Sequence, residues 1–259
     1  MARYDLSDIE WAVIAPLLPN KPRGVRRVDD RRVLDGIFWR IRAGAPWRDL
    51  PERYGPYTTV YNRYNRWRKA GVWGRLLEAL ARSGLAETQM IDTTSVRVHL
   101  HAGSARKAGT NDRFMGRSRG GLTTKLHAVV DAAGMPLKLG LTAGQSHDNS
   151  LVPELLADLK RGALVLADKG YDAGWIRKLV RDKGGWANIP VRKASQGKRE
   201  PIVFSPHLYK DRNAVERFFA KLKQFRAVAT RYDKAAANFL ATAQLACVRL
   251  WLRLSDLPL

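Results

Sequence analysis

The chain has 259 residues, with 46 Lys and Arg against 24 Asp and Glu, a formal net charge of +22. Hydrophobic residues make up 45% and charged residues 27%, which excludes a disordered or fibrous chain; the length allows one large domain or two modest ones. The single cysteine, Cys247, excludes an internal disulfide framework and points to a reducing compartment, the cytoplasm. The first residues, Met-Ala-Arg-Tyr-Asp-Leu-Ser-Asp, carry no apolar signal segment. A charge excess of this sign and size suits a polyanionic partner, nucleic acid first, with a solubility surface or an anionic membrane as the plainer alternatives.

Helical periodicity runs to about residue 85. Ser7 with Glu10 reads as a capping box for a helix that turns Ile9, Val13, Ile14 and Leu17 inward and stops near Pro19. A basic loop, Lys21 to Arg27, follows, and Asp29 or Asp30 caps a second helix bearing Val33, Leu34, Ile37, Phe38 and Ile41, ended by Gly44. A short helix or turn covers Trp47 to Tyr54. Thr58 or Thr59 then caps a helix through Lys69 with Val60, Tyr61, Tyr64 and Trp67 on one face. Its other residues, Asn62, Arg63, Arg66 and Lys69, are free to face outward, as in a helix-turn-helix reading the DNA major groove. An ordinary amphipathic helix with a solvated basic face accounts for the same residues.

The pattern changes near residue 88. Gln89–His99, Leu122–Asp131 and Leu137–Thr142 read as strands, the last two joined by an Ala-Ala-Gly-Met-Pro turn. A helix over Asn149–Lys160, a strand over Ala163–Ala167, a helix over Ala173–Lys183 and a strand over Trp186–Val191 follow. This order predicts a mixed α/β sheet. Gly103–Gly121 and residues 192–200 read as basic loops. A long helix begins near Tyr209, and the apolar Ala235–Leu254, interrupted by Gln244, Arg249 and Arg253, reads as a packed helix and not a membrane span. The expected domains are 1–86, helical, and 87–259, a mixed sheet with C-terminal helices.

Three acids stand apart. Asp92 lies within the first apolar strand, Asp168 ends the strand Leu164–Ala167, and Glu216 lies mid-helix. A carboxylate in or at the end of a buried strand is costly unless paired or metal-bound. Two such acids and a helical Glu suggest three carboxylates converging on divalent cations, with Mg²⁺, or Mn²⁺, favoured over zinc by the hard oxygen donors. At ~100° per residue, Arg212, Glu216 and Lys223 fall within roughly 60° of Tyr209, while Ala214, Val215, Phe218, Leu222 and Phe225 occupy the opposite side. An exposed i, i+4 ion pair between Arg212 and Glu216 explains two of these residues but not the whole stripe. Asp172 and Asp148 read as helix caps, His147 as structural and Cys247 as core. His99 and His101 lack the further ligands a zinc site needs.

The spacing Tyr209-x2-Arg212-x3-Glu216-x6-Lys223 resembles the Y-R-E-K motif of insertion-sequence transposases of the DDE class. Ile91-Asp92-Thr93-Thr94-Ser95-Val96 and Leu166-Ala167-Asp168-Lys169-Gly170-Tyr171-Asp172 resemble that class's first and second acid motifs. Gly120 to His127, Ser146-His147-Asp148 and Trp47-Arg48-Asp49-Leu50-Pro51 narrow the likeness to the family-five type over nearly the whole chain. The resemblance implies an RNase H-like catalytic domain preceded by an all-α, helix-turn-helix-like domain. It places Asp92 on the central first strand, Asp168 after the fourth strand and Glu216 on a following helix.

The expected activity is Mg²⁺-dependent cleavage at the terminal inverted repeats, followed by transfer of the freed 3′-OH to target DNA. Asp92 would bridge two ions, Asp168 complete one and Glu216 the other. Tyr209, Arg212 and Lys223 would hold DNA beside the scissile bond, and Arg63, Arg66 and Lys69 would engage the element ends. The implied partners are double-stranded DNA and a second copy of the chain, with no membrane. A nuclease that cuts without joining, and a non-catalytic DNA-binding regulator, are the competing expectations.

Overall fold

A computed structural model describes residues 4–19, 29–81, 87–104, 113–192 and 202–255. Four helices come first: α1 (Asp8–Ile14), α2 (Asp30–Ala43), α3 (Tyr57–Lys69) and α4 (Val72–Ala81). Strand β1 (Thr88–Val98), the short α5 (Leu100–Gly103) and strands β2 (Gly116–Ser118), β3 (Gly121–Asp131) and β4 (Pro136–Ala143) follow. Next are α6 (Val152–Leu155), β5 (Leu164–Leu166), α7 (Gly174–Asp182), β6 (Trp186–Asn188), α8 (Pro206–Tyr209) and α9 (Asn213–Lys223). The last elements are α10 (Arg226–Ala229), β7 (Thr230–Arg231) and α11 (Ala236–Ser255). The chain divides into two compact units: a helical one of α1–α4, α5, α10, β7 and α11, and a sheet unit of β1–β6, α6–α8 and α9 as far as Lys221.

In the helical unit the expected caps set the ends of α1 and α2. Ser7 Oγ accepts from the Glu10 amide at 3.0 Å and Glu10 Oε2 accepts from the Ser7 amide at 2.8 Å. Asp29 caps α2 through the Arg31 amide at 2.9 Å, and Gly44, at φ 70°, ends it. No threonine caps α3: it starts at Tyr57 behind Pro56, whose fixed φ presets the entry and whose carbonyl accepts from the Thr59 and Val60 amides. Of the faces expected to be apolar, Val33, Leu34, Ile37, Phe38 and Ile41 on α2, Val60, Tyr64 and Trp67 on α3 and Ile14 on α1 are buried, whereas Ile9, Leu17 and Tyr61, expected to point inward, are exposed at the edges of those faces.

Helix α11 packs on α4, α1 and α2. Cys247 lies wholly buried within it, and the buried pair Glu10–Arg249 ties it to α1. A boundary near residue 86 assigns α10 and α11 to the later region, whereas their contacts group them with the N-terminal helices, whose apolar faces they cover. No helix among the described residues is long and apolar enough to cross a membrane.

The sheet unit is built on β1. This strand pairs antiparallel with β3, Asp92 opposite Ala128 and Thr93 opposite His127, and parallel with β5, which pairs in turn with β6. Strands β2 and β4 both pair with β3. The β3–β4 turn closes on Gly134, at φ 77°, with Asp131 Oδ1 accepting the Met135 amide at 2.8 Å. An antiparallel set of β4, β3 and β1 joined to parallel β5 and β6 is the mixed sheet that the order of strands and helices predicts.

Three elements differ from expectation. The stretch Asn149–Lys160 makes only the single turn α6, yet Val152, Leu155, Leu156 and Leu159 are still buried. The segment from Tyr209 is α8, a 3-10 turn over Lys210–Arg212 and α9, not one helix. Part of the expected loop Gly103–Gly121 is the strand β2, which hairpins onto β3. The loop Lys21 to Arg27 and nearly all of residues 192–200 lie outside the described residues.

Candidate active site

Strand β5 pairs with β1 only as far as Met90 opposite Leu166, while β1 continues to Val98. Both strand acids stand just beyond this last pair. Asp92 Oδ1 accepts the Thr93 amide at 2.8 Å. Asp168 opens the 3-10 turn Lys169–Tyr171 and accepts the Gly170 amide on Oδ1 at 2.7 Å. A Cβ on Gly170 would lie 2.7 Å from that same oxygen, so glycine makes room for the carboxylate. Arg192 holds the turn from outside, its guanidinium donating to the carbonyls of Lys169 at 2.7 Å and Gly170 at 2.5 Å.

Glu216 enters from the first turn of α9, brought in by Arg212. The Arg212 guanidinium spans two of the acids: Nη2 lies 2.9 Å from Asp92 Oδ2, and Nη1 lies 2.5 Å from Glu216 Oε1. The Asp92 side chain is 17% exposed and that of Glu216 is 56% exposed. Burial pushes the Asp92 carboxyl up to about 6; the Thr93 amide and Arg212 oppose this, and the charges of Asp168 and Glu216 add to it. Burial raises the Tyr209 phenol too, with Arg212 opposing and Asp168, Asp92 and Glu216 reinforcing. Asp92, Asp168, Glu216, Tyr209 and Arg212 therefore share one electrostatic neighbourhood. Lys223 is exposed at the end of α9 and groups with the helical unit.

Three carboxylates backed by one arginine are a donor set suited to a hard divalent cation, and offer neither thiolate nor imidazole. Among the described residues no three His, Cys, Asp or Glu side chains stand together to hold a metal, and the Arg212 guanidinium lies between Asp92 and Glu216. His99 and His101 make no such group either; the His99 Nδ1 accepts the His101 amide at 3.3 Å and its ring stacks on Tyr232.

Three residues differ from their expected places. Arg63 does not face outward: it is buried, ion-paired with Asp30 of α2 and set over the Trp67 ring at 5.1 Å. Only Arg66 and Lys69 of that trio are exposed. Asp148 caps no helix, since α6 has no side-chain cap and the Asp148 carboxylate pairs instead with Lys125 Nζ at 2.7 Å. Asp172 does not cap α7, which has no side-chain cap either. It is buried, accepting from Arg177 Nη2 at 3.0 Å and from the Arg192 amide at 2.9 Å. His127 and Tyr171, both buried beside the acids, lie within the segments Gly120 to His127 and Leu166 to Asp172, but no local pattern marks them as part of the site.

The chain has relatives. Residues 84–251 match the family described as "Transposase DDE domain", and residues 6–77 match "Putative transposase of IS4/5 family". The "Putative transposase for insertion sequence element IS6501" of Brucella ovis is 38% identical over 137 residues, 51% of this chain and 100% of that one. An uncharacterized protein, y4sN, of Sinorhizobium fredii is 45% identical over 105 residues, 40% of this chain and 84% of that one. The crystal structure of the catalytic domain of the Mos1 mariner transposase aligns with 76% of this chain and 96% of its own, at 13% identity and a TM-score of 0.25. The chain belongs to the DDE transposases of insertion sequences, metal-dependent enzymes that transfer DNA.

Proposed function

We propose that this transposase binds the terminal inverted repeats of its element, cuts the DNA there and joins the freed 3′-OH to a target. The observation that carries the site assignment is the Asp92–Arg212–Glu216 bridge with Asp168 acting on the same carboxyl. Asp92, Asp168 and Glu216 would hold Mg²⁺, with Mn²⁺ as a substitute. When bound, such ions neutralise charge on the scissile phosphate and favour both the attacking and the leaving oxygen.

The side chains have separate tasks. Arg212 neutralises Asp92 and Glu216 until DNA and cations arrive, and its guanidinium is then free to take a phosphate oxygen. Tyr209 borders the acids and packs on Phe204, with ring centroids 5.4 Å apart, where it can meet the DNA end. Lys223 supplies a further positive charge for the backbone. On the helical unit, which takes up most of the 1–86 region, Arg66 and Lys69 are the exposed cations of α3 offered to the repeats. Two ends must be held together, so the working form is a dimer on double-stranded DNA.

The test is Mg²⁺-dependent cleavage and strand transfer on element-end DNA, by the wild type and by Asp92→Ala, Asp168→Ala and Glu216→Ala. All three variants should retard the DNA yet neither cut nor join it. Cutting at the wild-type rate by one of them removes that residue from the site. Cutting without joining by the wild type reduces the activity to that of a nuclease.

A further inference from the structure

Next to the acids runs a chain of hydrogen bonds, half-buried at Thr93 and fully buried at His127, that the chemistry above leaves unused. The Tyr171 hydroxyl lies 2.8 Å from Thr93 Oγ1, Thr93 Oγ1 lies 2.9 Å from His127 Nδ1, and His127 Nε2 lies 2.7 Å from Thr142 Oγ1. His127 is 0% exposed and Tyr171 1%. The chain links the turn of the second acid to β1, then to β3 and β4. Burying a phenol, two hydroxyls and an imidazole costs free energy that apolar residues would not cost, so a satisfied chain of this kind reflects a demand for position. The protons suffice: three hydroxyls and one neutral imidazole give each of the three bonds its hydrogen.

Its placement shows what it positions. Backbone pairing between β1 and β5 ends at Met90–Leu166, short of both acids. Beyond that pair, the Tyr171–Thr93 bond spans from one acid's segment to the other's. Tyr171 ends the turn that Asp168 begins. Thr93 follows Asp92 and also gives that carboxylate its amide hydrogen bond. Alternation along β1 sends Thr93 to the face opposite Asp92, so the chain braces the acid from behind. His127 stands directly opposite Thr93 in the β1–β3 register and carries the brace on to β4.

We propose that Tyr171, Thr93 and His127 are positioning residues that fix the separation of the Asp92 and Asp168 carboxylates. This rests on the reading of those acids as ligands of one metal site. Residues that orient metal ligands in this way typically contribute about 10- to 100-fold in metal affinity or activity.

The experiment uses the full chain with Tyr171→Phe, which deletes a single oxygen, together with Thr93→Val and Thr93→Ser. Melting temperature, Mn²⁺ titration and steady-state cleavage of end DNA are measured for each. Tyr171→Phe and Thr93→Val should weaken Mn²⁺ binding and lower kcat by about 10- to 100-fold, with KM for DNA unchanged. Thr93→Ser, which keeps the hydroxyl, should restore both. Wild-type kcat and Mn²⁺ affinity in Tyr171→Phe and Thr93→Val, beside an inactive Asp92→Asn, overturn this inference alone. Loss in Thr93→Ser equal to that in Thr93→Val overturns it too, because the hydroxyl is then irrelevant. Equal Mn²⁺ binding by wild type and Asp92→Asn removes the metal reading, and the inference with it.

Discussion

Arg63 and Arg66 stand three residues apart on one helix and have opposite fates. Arg63 borders the apolar stripe of Val60, Tyr64 and Trp67. Its partner Asp30 comes from α2, and its guanidinium lies over an indole of its own helix. No helical wheel contains Asp30, so the sequence could not assign Arg63 to the interior. Arg63→Ala removes the guanidinium that pairs with Asp30 and packs on Trp67, and should lower stability by ~1–3 kcal/mol in urea titration. Arg66→Ala should leave the denaturation midpoint in place and weaken retardation of end DNA.

Arg212 gives a prediction of the opposite sign. It neutralises Asp92 and Glu216 as a cation would, so Arg212→Gln should tighten Mn²⁺ binding by the DNA-free protein by about tenfold, ~1.4 kcal/mol. Weaker binding in a calorimetric titration would refute that role. Gly170→Ala brings a methyl against Asp168 Oδ1; it should depress cleavage while leaving the melting temperature unchanged. Asp92 and Asp168 were conspicuous in the sequence because an acid in or at the end of an apolar strand needs an explanation. His127 and Tyr171 were not, because their partners lie on other strands and turns.

Elements were legible where local chemistry decides them. The Ser7–Glu10 box and the Asp29 cap depend on residues within one turn, and both are formed. The break between α8 and α9 does not follow from periodicity, which keeps its phase from Tyr209 to Lys223, and Ala214, Val215, Phe218 and Leu222 are buried as that phase requires. The ties between elements carry a pH signature. Burial lowers the His127 pKa to about 4, while the nearby Asp148 charge pulls it up and Lys125 pulls it down. Between about pH 6.5 and 4 the unfolded chain therefore takes up a proton that the folded chain refuses, and this contribution to stability is lost as pH falls through that window. Asp35 and Asp92, both raised to about 6 by burial, contribute with the opposite sign. The expected observation is a difference: His127→Gln should lose less stability than the wild type between pH 6.5 and 4. Parallel curves would contradict a buried, neutral His127.

At the scale of the whole molecule, the charge of +22 is a statement about DNA. Each phosphate contact contributes about 0.9 to the slope of log affinity against log salt. Arg66→Ala with Lys69→Ala should therefore flatten that slope by about 1.8 if both touch phosphates, and an unchanged slope would move the interface off α3. The grouping of α10 and α11 with the N-terminal helices was hidden in the sequence, since the apolar run of α11 does not name the surface that it covers. The mixed sheet was legible, because its order of strands and helices leaves few topologies.

The most direct measurement is a Mn²⁺ titration, followed by electron paramagnetic resonance, of the DNA-bound wild type and of Asp92→Asn, Asp168→Asn and Glu216→Gln. Each substitution should weaken binding by at least about tenfold. Superimposable titrations for all four proteins would contradict a shared carboxylate site.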